Sequence, residues 1–226
     1  MSTNRTIAIA SRIIRQVLKD HRSVVLVFVA PIVVMSLVGF SFMDQPGVLN
    51  KVAPALIGVF AFFFTFILTG VSFLRERSQG TLERMLSTPV GRGDILVGYL
   101  VGFTFFASIQ SLVILLYTLL VLPVEHQGSL WHIFLLLIVL TVAAVSLGVF
   151  VSTFAHNEFQ VVQFIPLVFA PQVFLSGIYL PIANMPGFLQ VIARLLPLTY
   201  AVDGLRSIMI RGDGLDDVLQ ELGVLV

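Results

Sequence analysis

The chain has no cysteine, one tryptophan and few charges: Asp, Glu, Lys and Arg supply 11% of its 226 residues. Without cysteine there are no disulfides, thiol nucleophiles or thiolate metal sites. An ordinary soluble domain is about one quarter charged, so this chain cannot solvate its own surface. Also missing is the GxxxxGK[ST] phosphate loop, which removes that route to nucleotide hydrolysis. Neither HExxH nor GxSxG occurs. The four histidines, His21, His126, His132 and His156, are scattered along the chain. Glu125, His126 and His132 do not have the spacing of a usual metal motif. No catalytic residue and no metal site is expected.

What is present is apolar. Hydrophobic residues make up 58% of the chain and Phe alone occurs 20 times, with a mean hydropathy of +1.02. Lipid is the solvent that suits such a composition. A membrane-crossing helix needs about 20 residues, and five runs qualify: Val24–Met43, Val52–Leu74, Ile95–Leu122, Leu130–Phe154 and Phe159–Ile182. The first follows a long polar lead and reaches spanning length, so it reads as a span rather than a cleaved secretory signal. Helix is required because lipid tolerates no unpaired amide and no strand alternation is present. The basic residues Arg5, Arg12, Arg15, Lys19 and Arg22 precede the first span, and Arg75, Arg77, Arg84 and Arg92 join the second to the third. The alternate connections hold only Lys51 or no basic residue. The N-terminus and the 75–94 connection are therefore expected on the cytoplasmic side.

Ile7, Ala10, Ile13, Ile14, Val17 and Leu18 recur at helical spacing opposite Arg12, Arg15, Gln16 and Lys19. The pattern predicts an amphipathic interfacial helix within residues 1–23; the simpler alternative is a charged flank that fixes topology. Span interiors offer only Gln110, Gln163 and hydroxyls such as Thr65, Thr69, Ser108, Ser111 and Thr118. A proton-driven carrier would normally keep an ionisable group there. Gly98 and Gly102, and the stripe Ala144, Gly148 and Ser152, permit close helix contact, within the chain or between copies. Pro166 and Pro171 should kink the fifth span. Gln163, Phe164, Phe169 and Phe174 then either line a solute route or surround a buried bend. After it, residues 183–211 read as two short amphipathic helices in an extracytoplasmic re-entrant hairpin, with Arg194, Asp203, Arg206 and Arg211 partly exposed. The final DGLDDVLQELGVLV turns apolar again, as the opening of a sixth span would.

The charged connection, FLRERSQGTLERMLSTPVGRGD, has its own punctuation. Gly80 should end the descending helix, and Thr81 is a suitable N-cap for a short helix over Leu82–Thr88 stopped by Pro89. Leu82, Met85 and Leu86 fall on one face with Glu83 and Arg84 at its rim, which are the attributes of a docking knob. Gly91 and Gly93 allow a turn, and Asp94 can cap the third span.

RERSQGTLERMLSTPVGRGDILVGYLVG resembles the segment between the second and third spans of ABC type-2 permeases, the membrane subunits of ATP-driven exporters. FLSGIYLPIANMPGFLQVIARLLPLTYAVDGLRSIMIRG is similar to that family's extracytoplasmic hairpin, through Ser176-Gly177, Met185-Pro186 and Pro197–Arg206. The resemblance implies an all-α membrane bundle, 1–226 as one transmembrane domain, with five complete spans and the start of a sixth. It implies an ABC ATPase partner, a second permease copy, a lipid surround, and neither cofactor nor nucleic acid. Thr81, Leu82, Glu83, Arg84, Met85 and Leu86 would form the coupling helix that docks the ATPase, with Glu76, Arg77 and the N-terminal helix completing the contact. The membrane would be a bacterial or archaeal cell (inner) membrane. Aromatic, uncharged spans suit export of an amphipathic or hydrophobic solute, drug-like or lipid. The alternative is a non-transporting scaffold or sensor that docks the same ATPase.

Overall fold

The computed structural model describes residues 2–225, apart from the side chains of Arg22, Ser23, Pro46, Gln220 and Val224. The charge counted on Arg22 and the chain's last residue, Val226, therefore lie outside it. The described residues form helices α1 (Thr3–Lys19), α2 (His21–Ser41), α3 (Pro46–Ser78), α4 (Thr81–Leu86), α5 (Arg92–Val121), α6 (Leu130–Ser152) and α7 (Glu158–Leu175). Then come α8 (Gly187–Ala193), α9 (Pro197–Arg206), a π turn over Ser207–Arg211, and α10 (Leu219–Leu225). No strand occurs among the described residues. Five of these helices (α2, α3, α5, α6 and α7) are long and apolar enough to cross a bilayer. The chain is a multi-pass, all-α membrane protein.

Helix lengths carry the first architectural message. With 33 residues in α3 and 30 in α5, these two helices reach about 50 and 45 Å, against a hydrocarbon core of about 30 Å. Outside the expected spans, α3 extends from Pro46 at one end and through Arg75, Glu76 and Arg77 at the other, and α5 begins with Arg92 and Asp94; such charged side chains cannot stay in lipid. The charged ends lie level with the end of α6 and the start of α7, since Arg77 reaches the Thr153 carbonyl and Arg75 reaches Glu158, and together they form a short stalk with α4 at its tip. The fifth span is shorter than the expected Phe159–Ile182. It stops at Leu175 because Ser176 and Gly177 turn the chain, Gly177 with a left-handed φ of 78° that suits glycine. Pro166 and Pro171 do not end α7. Each leaves the carbonyl four residues earlier, on Val162 and Leu167, without its helical donor.

Helix α3 is the central element, packed against α5, α6, α7 and α9. It meets α6 where a Cβ on Gly148 would stand 3.0 Å from the Phe66 carbonyl and 3.3 Å from the Gly70 nitrogen. The stripe Ala144–Gly148–Ser152 is thus an intrachain seat. So is Gly98–Gly102, whose partner is α1. A Cβ on Gly98 would come within 2.6 Å of Ile9, and one on Gly102 within 3.0 Å of Ile13. Of the amphipathic stripe, Ala10, Ile13 and Val17 are buried with Ile9 on α5, whereas Ile7 and Leu18 stay exposed. The N-terminal helix therefore spends most of its apolar face on the stalk and leaves its two ends for the membrane boundary.

At the opposite end, α8 and α9 form a bent helical pair, or hairpin, meeting at 84°. Leu198, Ala201, Val202 and Leu205 bury α9 in the same core as Phe62 and Leu136. Arg206 donates to the Gly177 carbonyl at 3.0 Å, which closes the turn after α7, while Arg194 and Asp203 are exposed. The segment expected to open a sixth span holds α10, 7 residues packed on α9 and α6.

The α1 seat can be tested by overpacking. Gly98→Val should destabilise the fold by about 1–3 kcal/mol, whereas Gly47→Ala, with nothing within 4 Å of the new Cβ, should be neutral or slightly stabilising. Thermal unfolding in detergent reads both; equal transition temperatures would remove the seat.

Candidate functional site

The stalk tip is built by local rules. Gly80, left-handed at φ 67°, is the residue that turns α3 into α4 and serves as the N-cap. Thr81 therefore begins the helix rather than capping it. α4 also ends earlier than the expected Thr88, because the Ser87 and Thr88 hydroxyls donate to the Arg84 and Met85 carbonyls at 2.8 and 2.6 Å. Arg84 folds back on Gly80 and Gln79, donating to their carbonyls at 3.3 and 3.0 Å. Asp94 accepts from the Gly91 amide at 3.4 Å and from the Ser2 amide at 3.0 Å. It caps α5, as expected, and also holds the beginning of α1.

Beneath the tip lies a charged cluster. Arg12 Nη2 donates to Glu76 Oε2 at 2.5 Å and to the Tyr99 hydroxyl at 3.1 Å. Tyr99 in turn donates to the same Glu76 oxygen at 2.8 Å. Tyr99 is fully buried and Glu76 only 2% exposed, while the Arg12 side chain keeps 34% of its surface. The cluster joins α1, α3 and α5, and Arg5 adds a bond to the Pro89 carbonyl at 2.5 Å. Two neighbouring arginines brace the base. Arg75 pairs with Asp20 at 3.1 Å and Glu158 at 3.0 Å, linking the α1–α2 turn to the start of α7. Arg77 donates to the Thr153 carbonyl at 2.8 Å and the Ser152 carbonyl at 3.4 Å. A cation there complements the negative C-terminal end of α6.

The expected docking residues thus divide. Glu83, Arg84 and Leu86 form the outer face of α4, with Leu86 46% exposed. Leu82 and Met85 are half-buried and pack on the cluster of Ile9, Ile13, Tyr99 and Phe103; Thr81 is half-buried beside them. The apolar face read from the spacing is therefore split, because Leu82 and Met85 pack inward on that shared core while Leu86 stays exposed. Glu76 and Arg77 turn inward to hold the stalk and are not presented at the tip.

The residues considered for a solute route divide too. Gln163 and Phe174 are exposed, and Phe174 stacks on Tyr179 at 5.6 Å. Phe164 packs toward Leu74, Ala155 and Val161, and Phe169 contacts Phe63 at 4.5 Å. The exposed face of α7 instead runs through Phe159, Val162, Gln163, Pro166, Leu167, Pro171 and Phe174. Gln172 is buried and accepts from the Leu198 amide at 3.2 Å. Sequence reading missed Arg12, Glu76 and Tyr99 as one working group. The only signal was a tyrosine in an apolar run, whose hydroxyl needs a partner when buried.

The sequence profile of the family described as "ABC-2 type transporter" matches residues 4–210. A probable multidrug ABC transporter permease, YbhS of Escherichia coli (strain K12), is 29% identical over 65% of this chain and 39% of its own length. The inner membrane transport permease YhhJ of the same strain is 32% identical over 67% of this chain and 41% of its own. Nodulation protein J of Rhizobium leguminosarum bv. viciae is 31% identical over 71% and 61%. The chain thus spans about 39 to 61% of the length of these curated relatives.

Two substitutions probe the cluster. Tyr99→Phe removes one hydroxyl and keeps the ring, and should cost about 1–2 kcal/mol. Arg12→Ala strands the Glu76 carboxylate and should cost about 2–3 kcal/mol, less than a fully buried pair because Arg12 is part-solvated. Unfolding in detergent and tryptic cleavage at Arg15 and Lys19 report both; an unchanged cleavage rate would mean that the cluster does not hold α1.

Proposed function

The chain belongs to the ABC-2 type transporter family, and on that premise we propose that it is the permease part of an ATP-driven exporter. It works with a separate ABC ATPase and a second permease copy. The stalk and N-terminus lie on the cytoplasmic side of a bacterial or archaeal cell (inner) membrane, because the basic residues concentrate at that end of the bundle.

The observation that carries this reading is the stalk. Glu83, Arg84 and Leu86 stand outward on a helix of one and a half turns, at the far end of two helices too long for the bilayer. Such a tip offers a partner one apolar anchor with charges around it. The Arg12–Glu76–Tyr99 cluster ties α1, α3 and α5 beneath it. A push on α4 is then delivered to the spans as a rigid-body tilt instead of being lost in a loop.

The route lies along the exposed face of α7. Gln163 and the donor-free carbonyls of Val162 and Leu167 fall on that face, and none of them suits plain lipid contact. A second copy or an aqueous path beside α7 would satisfy them. The apolar, uncharged surroundings favour an amphipathic or hydrophobic solute, drug-like or lipid. The names of YbhS and YbhR, probable multidrug ABC transporter permeases, support the drug-like class.

Leu86→Asp places a charge at the anchor without touching the cluster. It should leave insertion and thermal stability unchanged and reduce solute-stimulated ATPase activity of the reconstituted complex by about tenfold or more. Full co-purification with the ATPase and normal transport by this variant would refute the docking assignment. Absence of solute stimulation in the unmodified complex would favour a non-transporting scaffold.

A further inference from the structure

At the end of the bundle away from the stalk, a cavity of about 440 Å³ opens between the hairpin and α10. Its lining comprises Ile182, Arg194, Thr199, Tyr200, Asp203 and Glu221. Thr199 and Asp203 stand one helical turn apart on the same face of α9. Helix α10 crosses that face at Gly204, where a Cβ would lie 3.8 Å from the Glu221 Cβ, so Glu221 is brought to α9 from a separate element.

The oxygens that meet there are short of donors. Thr199 is 2% exposed, and its hydroxyl has no hydrogen-bond partner among the described residues. Glu221 Oε2 is equally enclosed and equally unpartnered. Asp203 sits at the exposed mouth, within electrostatic reach of Glu221. Arg206 and Arg211 act on Asp203 through charge, but they donate their hydrogen bonds to the Gly177 carbonyl, and to Asp213 and the Ser207 hydroxyl. Tyr200 spends its hydroxyl on the Arg194 carbonyl at 2.8 Å. Buried acceptors left unpaired are costly, and an ammonium group carries three N–H donors and a charge of the needed sign.

Arg194 supplies the second half of the recognition. Its exposed guanidinium lines the same cavity, and a guanidinium binds phosphate through paired, charge-assisted bonds. Beside it Phe188 and Val191 of α8, and Leu195 just after it, are all exposed, an apolar shelf for acyl chains. We propose that this cavity binds a zwitterionic headgroup, with a primary ammonium held by Thr199, Asp203 and Glu221 and a phosphate held by Arg194. The site stands apart from the transport reading, since it needs no ATPase and no second copy.

Calorimetric titration of the full chain in maltoside micelles tests it, with lysophosphatidylethanolamine and lysophosphatidylcholine of equal chain length as probes. They share the phosphate and differ in whether the nitrogen can donate. The ethanolamine lipid should bind about tenfold more tightly. Glu221→Gln and Thr199→Val should each remove most of that preference, and Arg194→Gln should weaken both lipids alike, with unfolding temperatures unchanged. Equal affinity for the two lipids would overturn the proposal, as would a preference that survives both variants in folded protein. Saturable Mg²⁺ binding that displaces the ethanolamine lipid would do the same, making the carboxylates a metal site. Soluble phosphoethanolamine binding as tightly as the lysolipid would support the headgroup site with a soluble occupant; much weaker binding would support it with a membrane lipid.

Discussion

Close approach of helix backbones is the constraint from which the rest of this structure follows. Lipid is as apolar as the side chains it touches, so helices in a bilayer gain little from simple burial and must gain from packing. The chain meets that demand with small residues at each main contact. Gly148 lets α6 lie against the α3 backbone near Phe66 and Gly70, and Gly98 and Gly102 let Ile9 and Ile13 of α1 settle on α5. At the far end Gly58 faces Leu205 of α9, and Gly204 faces Leu136 of α6. With α3 fixed by these contacts, its charged end is held beside the end of α6 and the start of α7, where Arg77 meets the Thr153 carbonyl and Arg75 meets Glu158.

That charged end brings an electrostatic problem, and its solution shapes the site. Glu76 sits on α3 facing α1 and α5, and a buried carboxylate needs both charge and hydrogen bonds. Arg12 supplies the charge and Tyr99 the second donor. Arg12 could not reach Glu76 unless α1 lay flush on the Gly98–Gly102 groove. Packing and electrostatics are therefore one device, in which the groove positions the guanidinium and the guanidinium secures the helix. The consequence at the tip is that α4 gives Leu82 and Met85 to this core and keeps Leu86, Glu83 and Arg84 outward. The surface proposed for docking is thus small, with one apolar anchor and charges at its edges.

The fold was largely legible because each signal behind it was local. Uncharged runs of spanning length marked α2, α3, α5, α6 and α7, and Gly80 and Pro89 bracketed α4 to within two residues. The hairpin was marked by Pro186 and Pro197 around short amphipathic pieces. Misreadings occurred where a local signal had a distant competitor. The Leu82–Met85–Leu86 face looked like a single surface, yet Leu82 and Met85 pack on a core that Ile9, Ile13, Tyr99 and Phe103 bring from separate helices. For Phe164 and Phe169 the sequence left a route and a buried bend both open, and they pack against Val161 and Phe63.

The sequence alone determined that this chain lives in a membrane, that it crosses as helices, which end carries the charge, and that a short helix stands in the charged connection. Those properties follow from composition, hydrophobic run length and the conformational limits of glycine and proline, all of which act over a few residues. Only the tertiary structure decided that Glu76 is a clasp and Gly98–Gly102 a seat for α1, which face of α7 is open, and that Thr199, Asp203 and Glu221 meet around one cavity. Each of these joins residues from separate helices. Their distances depend on how helices rotate and cross, and no periodicity within a single helix encodes that.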